Sequence, residues 1–136
     1  MTAAKYSIRC KQQVAIVHIR GSWGESITRQ FVRDFKKQVE SLLHSPWAQL
    51  VYFDEWQFSS PENEHYITRL LHWSIEHNLT HSARIFQADP LKSYQLNRMM
   101  HENDWSMNIR HFHHDNEGIE WLAKHGFHFN PATQSV

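Results

Sequence analysis

The densest cluster of chemistry-bearing side chains is His111-Phe112-His113-His114, followed closely by Asp115 and Glu117. Strand alternation puts His111 and His113 on one face, and two imidazoles on one face suit zinc, copper or nickel. A built site also needs a third or fourth ligand and a second shell to orient it. Asp115 and Glu117 are the nearest candidates. The chain holds twelve histidines, so the plainer reading of each is a solvated ring. No metal or other cofactor is expected, and His111, His113 and His114 are the candidates should an ion bind. His65 and His72 share a helical face but stand two turns apart, and no His-Glu-x-x-His occurs. Cys10 could act as a nucleophile only beside a base that depresses its pKa. In an alternating strand pattern it reads instead as a small buried hydrophobe.

A second group lies in mid-chain. Asp54 and Glu55 follow a strand, and ligands of α/β proteins gather at the carboxyl ends of strands. Trp56 and Phe58 stand in what reads as a polar loop, Trp73 lies off the main stripe of its helix, and Trp105 follows Glu102-Asn103-Asp104. Aromatic groups outside a core stripe close an interface or line an apolar pocket. Packing of loops onto the domain accounts for them equally well. Ser59-Ser60-Pro61-Glu62 carries the chemistry of a helix start, with a serine cap, proline in the first turn and a glutamate three places on.

A single domain must position these residues. A chain of 136 residues buries roughly 65–70% of its unfolded surface around one core without a disulfide or metal. Fourteen basic residues balance fourteen acidic ones, so the chain lacks the net basic charge of a phosphate-backbone binder and no nucleic-acid partner is expected. One cysteine permits no intramolecular disulfide and agrees with a reducing compartment. No apolar run approaches a membrane span. A cytoplasmic protein is expected.

Tyr6-Ser7-Ile8-Arg9-Cys10 alternates as a half-covered strand does, and Val14 to Ile19 is apolar at nearly every position, as in a strand covered on both faces. Lys11-Gln12-Gln13 joins them as a hairpin without the usual Gly or Asn. Gly21-Ser22-Trp23-Gly24 breaks the pattern, and a helix is predicted from about Ser26 to Leu43, burying Ile27, Phe31, Phe35, Val39 and Leu42. Leu50 to Phe53 reads as a buried strand. Helix two starts at the double serine and carries Ile67, Leu70, Leu71, Ser74, Ile75 and Leu79. Ala83 to Phe86 forms a strand, and Asp89-Pro90 opens a third helix with Leu91, Tyr94, Leu96, Met99 and Met100. Met107 to Phe112 is the last strand. Asp115 caps a final helix carrying Ile119, Trp121 and Leu122, ended by Gly126. The ordered core is expected over about 6–127, with the tail after Pro131 frayed. The predicted fold is α/β: one mixed sheet, with an opening antiparallel hairpin then parallel strands, and about four helices.

This order resembles the STAS or SpoIIAA-like group, whose founding members are anti-sigma-factor antagonists. The resemblance covers Tyr6 to Phe127. It rests on the opening hairpin, on Leu50-Val51-Tyr52-Phe53-Asp54 leading to a Ser-rich segment, and on Glu117-Gly118-Ile119-Glu120-Trp121-Leu122. It implies a non-enzymatic module with no catalytic residues. Its contact surface would be Glu55, Trp56, Phe58, Ser59 and Ser60, facing a protein partner or a second copy of the chain. The antagonists carry Asp-Ser-Ser-Gly with a phosphorylated serine; here Phe58-Ser59-Ser60-Pro61 keeps both serines, as possible phosphosites, but neither Asp nor Gly. Some relatives resemble lipid-binding proteins. That makes a carrier of a lipid or other apolar small molecule the alternative, with Trp56, Phe58, Trp73, Trp105, Met99 and Met100 lining its cleft. A metal-dependent enzyme using the terminal histidines stands well behind both.

Overall fold

Apolar side chains at almost every position from Val14 to Ile19 demand cover on both faces, and the fold supplies it. The computed structural model describes residues 5–58, 63–86 and 108–129. In chain order these form β1 (Tyr6–Lys11), β2 (Val14–Trp23), α1 (Glu25–Gln38), a 3₁₀ turn (Glu40–Leu42) and β3 (Trp47–Phe58). There follow α2 (Glu64–Glu76), β4 (Leu79–Ile85), β5 (Asn108–Phe112) and α3 (Asp115–Lys124). The sheet order is β1-β2-β3-β4-β5, with β1 antiparallel to β2 and every other neighbouring pair parallel. The third helix expected after Asp89-Pro90, with Met99, Met100 and Trp105, lies outside the described residues.

Chain topology decides which helix covers which face. β2-α1-β3 and β3-α2-β4 step across the sheet in the same direction, and parallel crossovers are right-handed, so both helices fall on one face. There Val17, Ile19, Val51 and Phe53 meet Phe31 and Phe35 of α1 and Leu70 and Leu71 of α2. After the last strand α3 returns over the opposite face, where Trp121 and Leu122 cover Val14, Ile16, Leu50 and Ala83. Tyr52 fastens its start, donating its hydroxyl hydrogen to Asp115 at 3.0 Å. Asp115 is thus the first helical residue and not the cap; His114 takes that place without a side-chain bond. Gly126 closes α3 as predicted. At φ +92, it lets the Phe127 amide donate to the Leu122 carbonyl and its own amide to that of Ala123, the paired bonds of a Schellman turn.

Several expected boundaries move, each for a local reason. The hairpin pairs Lys11 with Val14, and Gln12 takes φ +53, where Gly or Asn would sit with less strain. Gln13 reaches past the turn to donate to Ser45 Oγ at 2.9 Å. Gly21 does not end β2: at φ +77 it forms a bulge between Arg20 and Ser22 and the strand runs on to Trp23, as glycine in a strand often does. α1 stops at Gln38, and Val39 and Leu42 are buried through the 3₁₀ turn instead. Leu79 belongs to β4. Trp56 and Phe58 are not in a loop, because β3 runs through Phe58, which pairs with Trp23.

Candidate functional site

Polar residues are placed unusually on the face covered by α1 and α2. Gln49 of β3 and Ser82 and Arg84 of β4 lie at alternate positions beside Val51 and Phe53, and all three are buried. Gln49 Nε2 donates to Ser82 Oγ at 2.9 Å, and Arg84 Nε donates to the same oxygen at 3.3 Å. Ser82 therefore anchors both long side chains. Burial pushes the Arg84 guanidinium down to about 10, so it stays charged at neutral pH.

Gln49 and Arg84 border a void of about 60 Å³ that opens to solvent. A water needs only about 10–15 Å³ by a comparable measure, so the void has room for a few waters or a short alkyl segment and is smaller than the roughly 300–1,000 Å³ of pockets that enclose a drug-sized ligand. The rest of the wall is apolar: Val17 and Ile19 of β2, Phe31 and Phe35 of α1, Val51 and Phe53 of β3, and Ile67, Leu70 and Leu71 of α2. Ser74 spends its hydroxyl within the helix, donating to the Leu70 carbonyl at 2.8 Å. The result is a mostly hydrophobic recess with one cationic flank.

β5 adds His111, which the parallel register sets opposite Arg84. Its ring stands edge-on to Phe86 at 5.2 Å between centroids. Burial, and after it the Arg84 charge, hold its pKa down at about 4. His113 also approaches Phe86, with ring centroids 6.4 Å apart and Nδ1 3.2 Å from the Phe86 carbonyl. Alternation thus brings His111 and His113 to one side, while His114 heads α3 in the open. Among the described residues no three His, Cys, Asp or Glu side chains gather to hold a metal ion.

Other sequence candidates settle elsewhere. Glu55, Trp56 and Phe58 occupy the last residues of β3, whereas Ser59 and Ser60 lie outside the described residues. The cap position of α2 belongs to Asn63, whose side chain makes no capping bond there. Asn63 is buried, and its Nδ2 donates to the Trp23 carbonyl at 3.4 Å. Trp73 ties the two helices together, stacking on His77 at 4.5 Å with the Lys36 ammonium 5.2 Å from its ring centre. Cys10 donates its thiol hydrogen to the Gln38 carbonyl, and burial raises its pKa; both keep it a protonated thiol. Arg84 was missed by sequence reasoning. Its signal was an arginine inside the apolar run Ala83-Arg84-Ile85-Phe86.

A mixed five-stranded sheet with an antiparallel first strand, two helices on one face and a terminal helix on the other is the architecture of a SpoIIAA-like fold. Among solved structures, an uncharacterized protein from the DUF3478 family with a SpoIIAA-like fold, from Shewanella loihica PV-4, shares this architecture. It matches with a TM-score of 0.64 at 13% identity, covering 90% of this chain and 98% of that one. No family model and no curated protein matches the sequence. Identity at this level carries the fold and not an activity. No helix among the described residues is long and apolar enough to cross a membrane.

Proposed function

We propose that this chain is a non-enzymatic STAS-type binding module that takes an apolar small molecule between its sheet and helices α1 and α2. One observation carries the reading: the partly open void walled by Val17, Phe31, Val51, Phe53 and Leu70. Interiors pack to crystal density, and voids larger than a water are few in any domain. A partly open apolar recess beneath α1 and α2 therefore supports the binding of an apolar group. Ile67, half-buried in the wall, offers the test. Calorimetric titration with 1-octanol should give saturable one-to-one heat in the native chain, and none in Ile67→Trp, whose indole fills the recess while the thermal melt is kept. No saturable heat in the native chain would refute the reading.

A second reading, contact with a protein partner or a second copy, is favoured by the path of β3. Its pairing with β4 ends at Tyr52, whereas pairing with β2 continues to Phe58. Among the described strands, β3 beyond Tyr52 thus has a neighbour on one side alone, and such an edge accepts an added strand. Glu55, Trp56 and Phe58 lie on that stretch, next in sequence to Ser59 and Ser60.

A further inference from the structure

The wall of the recess carries one acceptor that the described residues leave unused. Gln49 is only 7% exposed and lines the void from β3. Its Nε2 is spent on Ser82 Oγ at 2.9 Å, whereas its Oε1 accepts no hydrogen bond among the described residues. Nor is Oε1 sealed in: the described side-chain atoms that are both buried and without a hydrogen-bond partner are Arg20 Nε and His111 Nε2. For a side chain held between the sheet and its helices, the surface that remains is surface of the recess. The other polar residues of the wall are engaged elsewhere. Ser74 sends its hydroxyl hydrogen to the Leu70 carbonyl, and Arg84 donates from Nε to the same Ser82 oxygen that Gln49 uses. While the recess is open, water can reach Oε1. An apolar occupant expels that water, and a carbonyl so covered must find a donor on the occupant or stay unsatisfied at a cost.

Resting on the small-molecule reading above, we propose that the recess takes a neutral aliphatic alcohol whose hydroxyl donates to Gln49 Oε1. Its first carbons lie against Val51, Phe53 and Leu70, and the rest of its chain follows the opening to solvent. The choice of head follows from the wall. An ether offers lone pairs alone and leaves Oε1 facing a second oxygen. An alkylammonium has the hydrogens but sets a like charge near the Arg84 guanidinium, which lines the same recess. A hydroxyl brings the donor without the charge.

Calorimetric titration of the full chain with 1-octanol, its isomer 1-methoxyheptane and octylammonium separates these cases. 1-Octanol should bind about three- to tenfold more tightly than the ether, the net worth of one hydrogen bond. Gln49→Met keeps the length of the side chain and removes the acceptor. In it that preference should vanish while the ether binds as before. Should the variant fail to fold, the native chain still decides: 1-octanol should move the Gln49 Cδ resonance downfield in NMR spectra, and the ether should leave it in place. Equal affinity for alcohol and ether would overturn the hydroxyl inference and leave the apolar recess standing. So would a preference kept in Gln49→Met, or tighter binding of octylammonium than of 1-octanol. Saturable binding of none of the three would overturn the small-molecule reading itself.

Discussion

Gly118 of α3 lies so close to Ile85 of β4 that a methyl group in place of its hydrogen would stand 2.9 Å from Ile85 Cδ1. Ala83 Cβ and Leu50 Cδ1 would each be 3.4 Å away. The helix can settle this deeply on the sheet because a glycine faces it. For Gly118→Ala, a gain of about 0.8–1 kcal/mol in helix propensity opposes the displacement of one terminal methyl. Denaturant melts should place that variant within about 1 kcal/mol of the parent. Gly118→Val adds branches that meet Ala83 and Leu50, and should lose about 2–3 kcal/mol. A neutral Gly118→Val would mean that α3 stands further from the sheet.

Phe35 packs between Phe31, at 5.7 Å, and Trp47, at 6.1 Å between ring centres, and is only 2% exposed. Phe35→Ala should cost about 3–5 kcal/mol, the usual cost of emptying such a site. A loss under about 1 kcal/mol would put this face of α1 in solvent.

Stability should fall as pH falls below neutral. Burial, and then the Arg84 charge, lower the His111 pKa to about 4; burial, and then His125, lower that of His81. In the unfolded chain both titrate near ~6.5. Below that value the unfolded state takes up protons that the folded state refuses, so stability is full above ~6.5 and declines as pH drops. For His111 the decline runs down to about 4. Discounted for the part of the ring that solvent screens, its contribution is about 1–2 kcal/mol. Urea melts of the parent and His111→Phe at pH 7 and pH 5 should show the variant losing less. Parallel losses would place His111 in solvent.

Trp56 tests the second reading. If a partner or second copy adds to the outer length of β3, Trp56→Ala should weaken self-association or partner capture and leave the denaturant melt nearly unchanged. Sedimentation velocity beside paired melts checks this. A loss of about 3–5 kcal/mol with unchanged sedimentation would mark Trp56 as core.

Most of the fold was legible because its signals are local. The all-apolar run of β2, the three-and-four spacing of Phe31, Phe35 and Val39, and Gly126 as a helix stop each act within a turn or a strand. What was missed depends on partners distant in sequence. Gly21 reads as a breaker, and only the pairing of β2 with β3 turns it into a bulge that carries the strand on to Trp23. Trp56 and Phe58 sit in a polar stretch, yet strand pairing overrides composition. The candidate site was hardly visible. Gln49, Ser82, Arg84 and His111 come from three strands, and nothing short of the sheet register sets them side by side. His111 was singled out for a metal, when its notable property is a buried nitrogen beside a guanidinium.

The hydrogen-bonded line from Gln49 through Ser82 to Arg84 also acts as a spelling check on strand alignment. Between two apolar parallel strands, a slip of one residue costs little in side-chain contacts alone, since valine, leucine and alanine exchange places readily. Here the same slip would turn Arg84 toward the side held by Leu50, Trp121 and Leu122, whose side chains offer a guanidinium no acceptor. A charge stranded in such surroundings costs several kcal/mol. The least hydrophobic residues of the interior therefore leave β3 and β4 a single way to align.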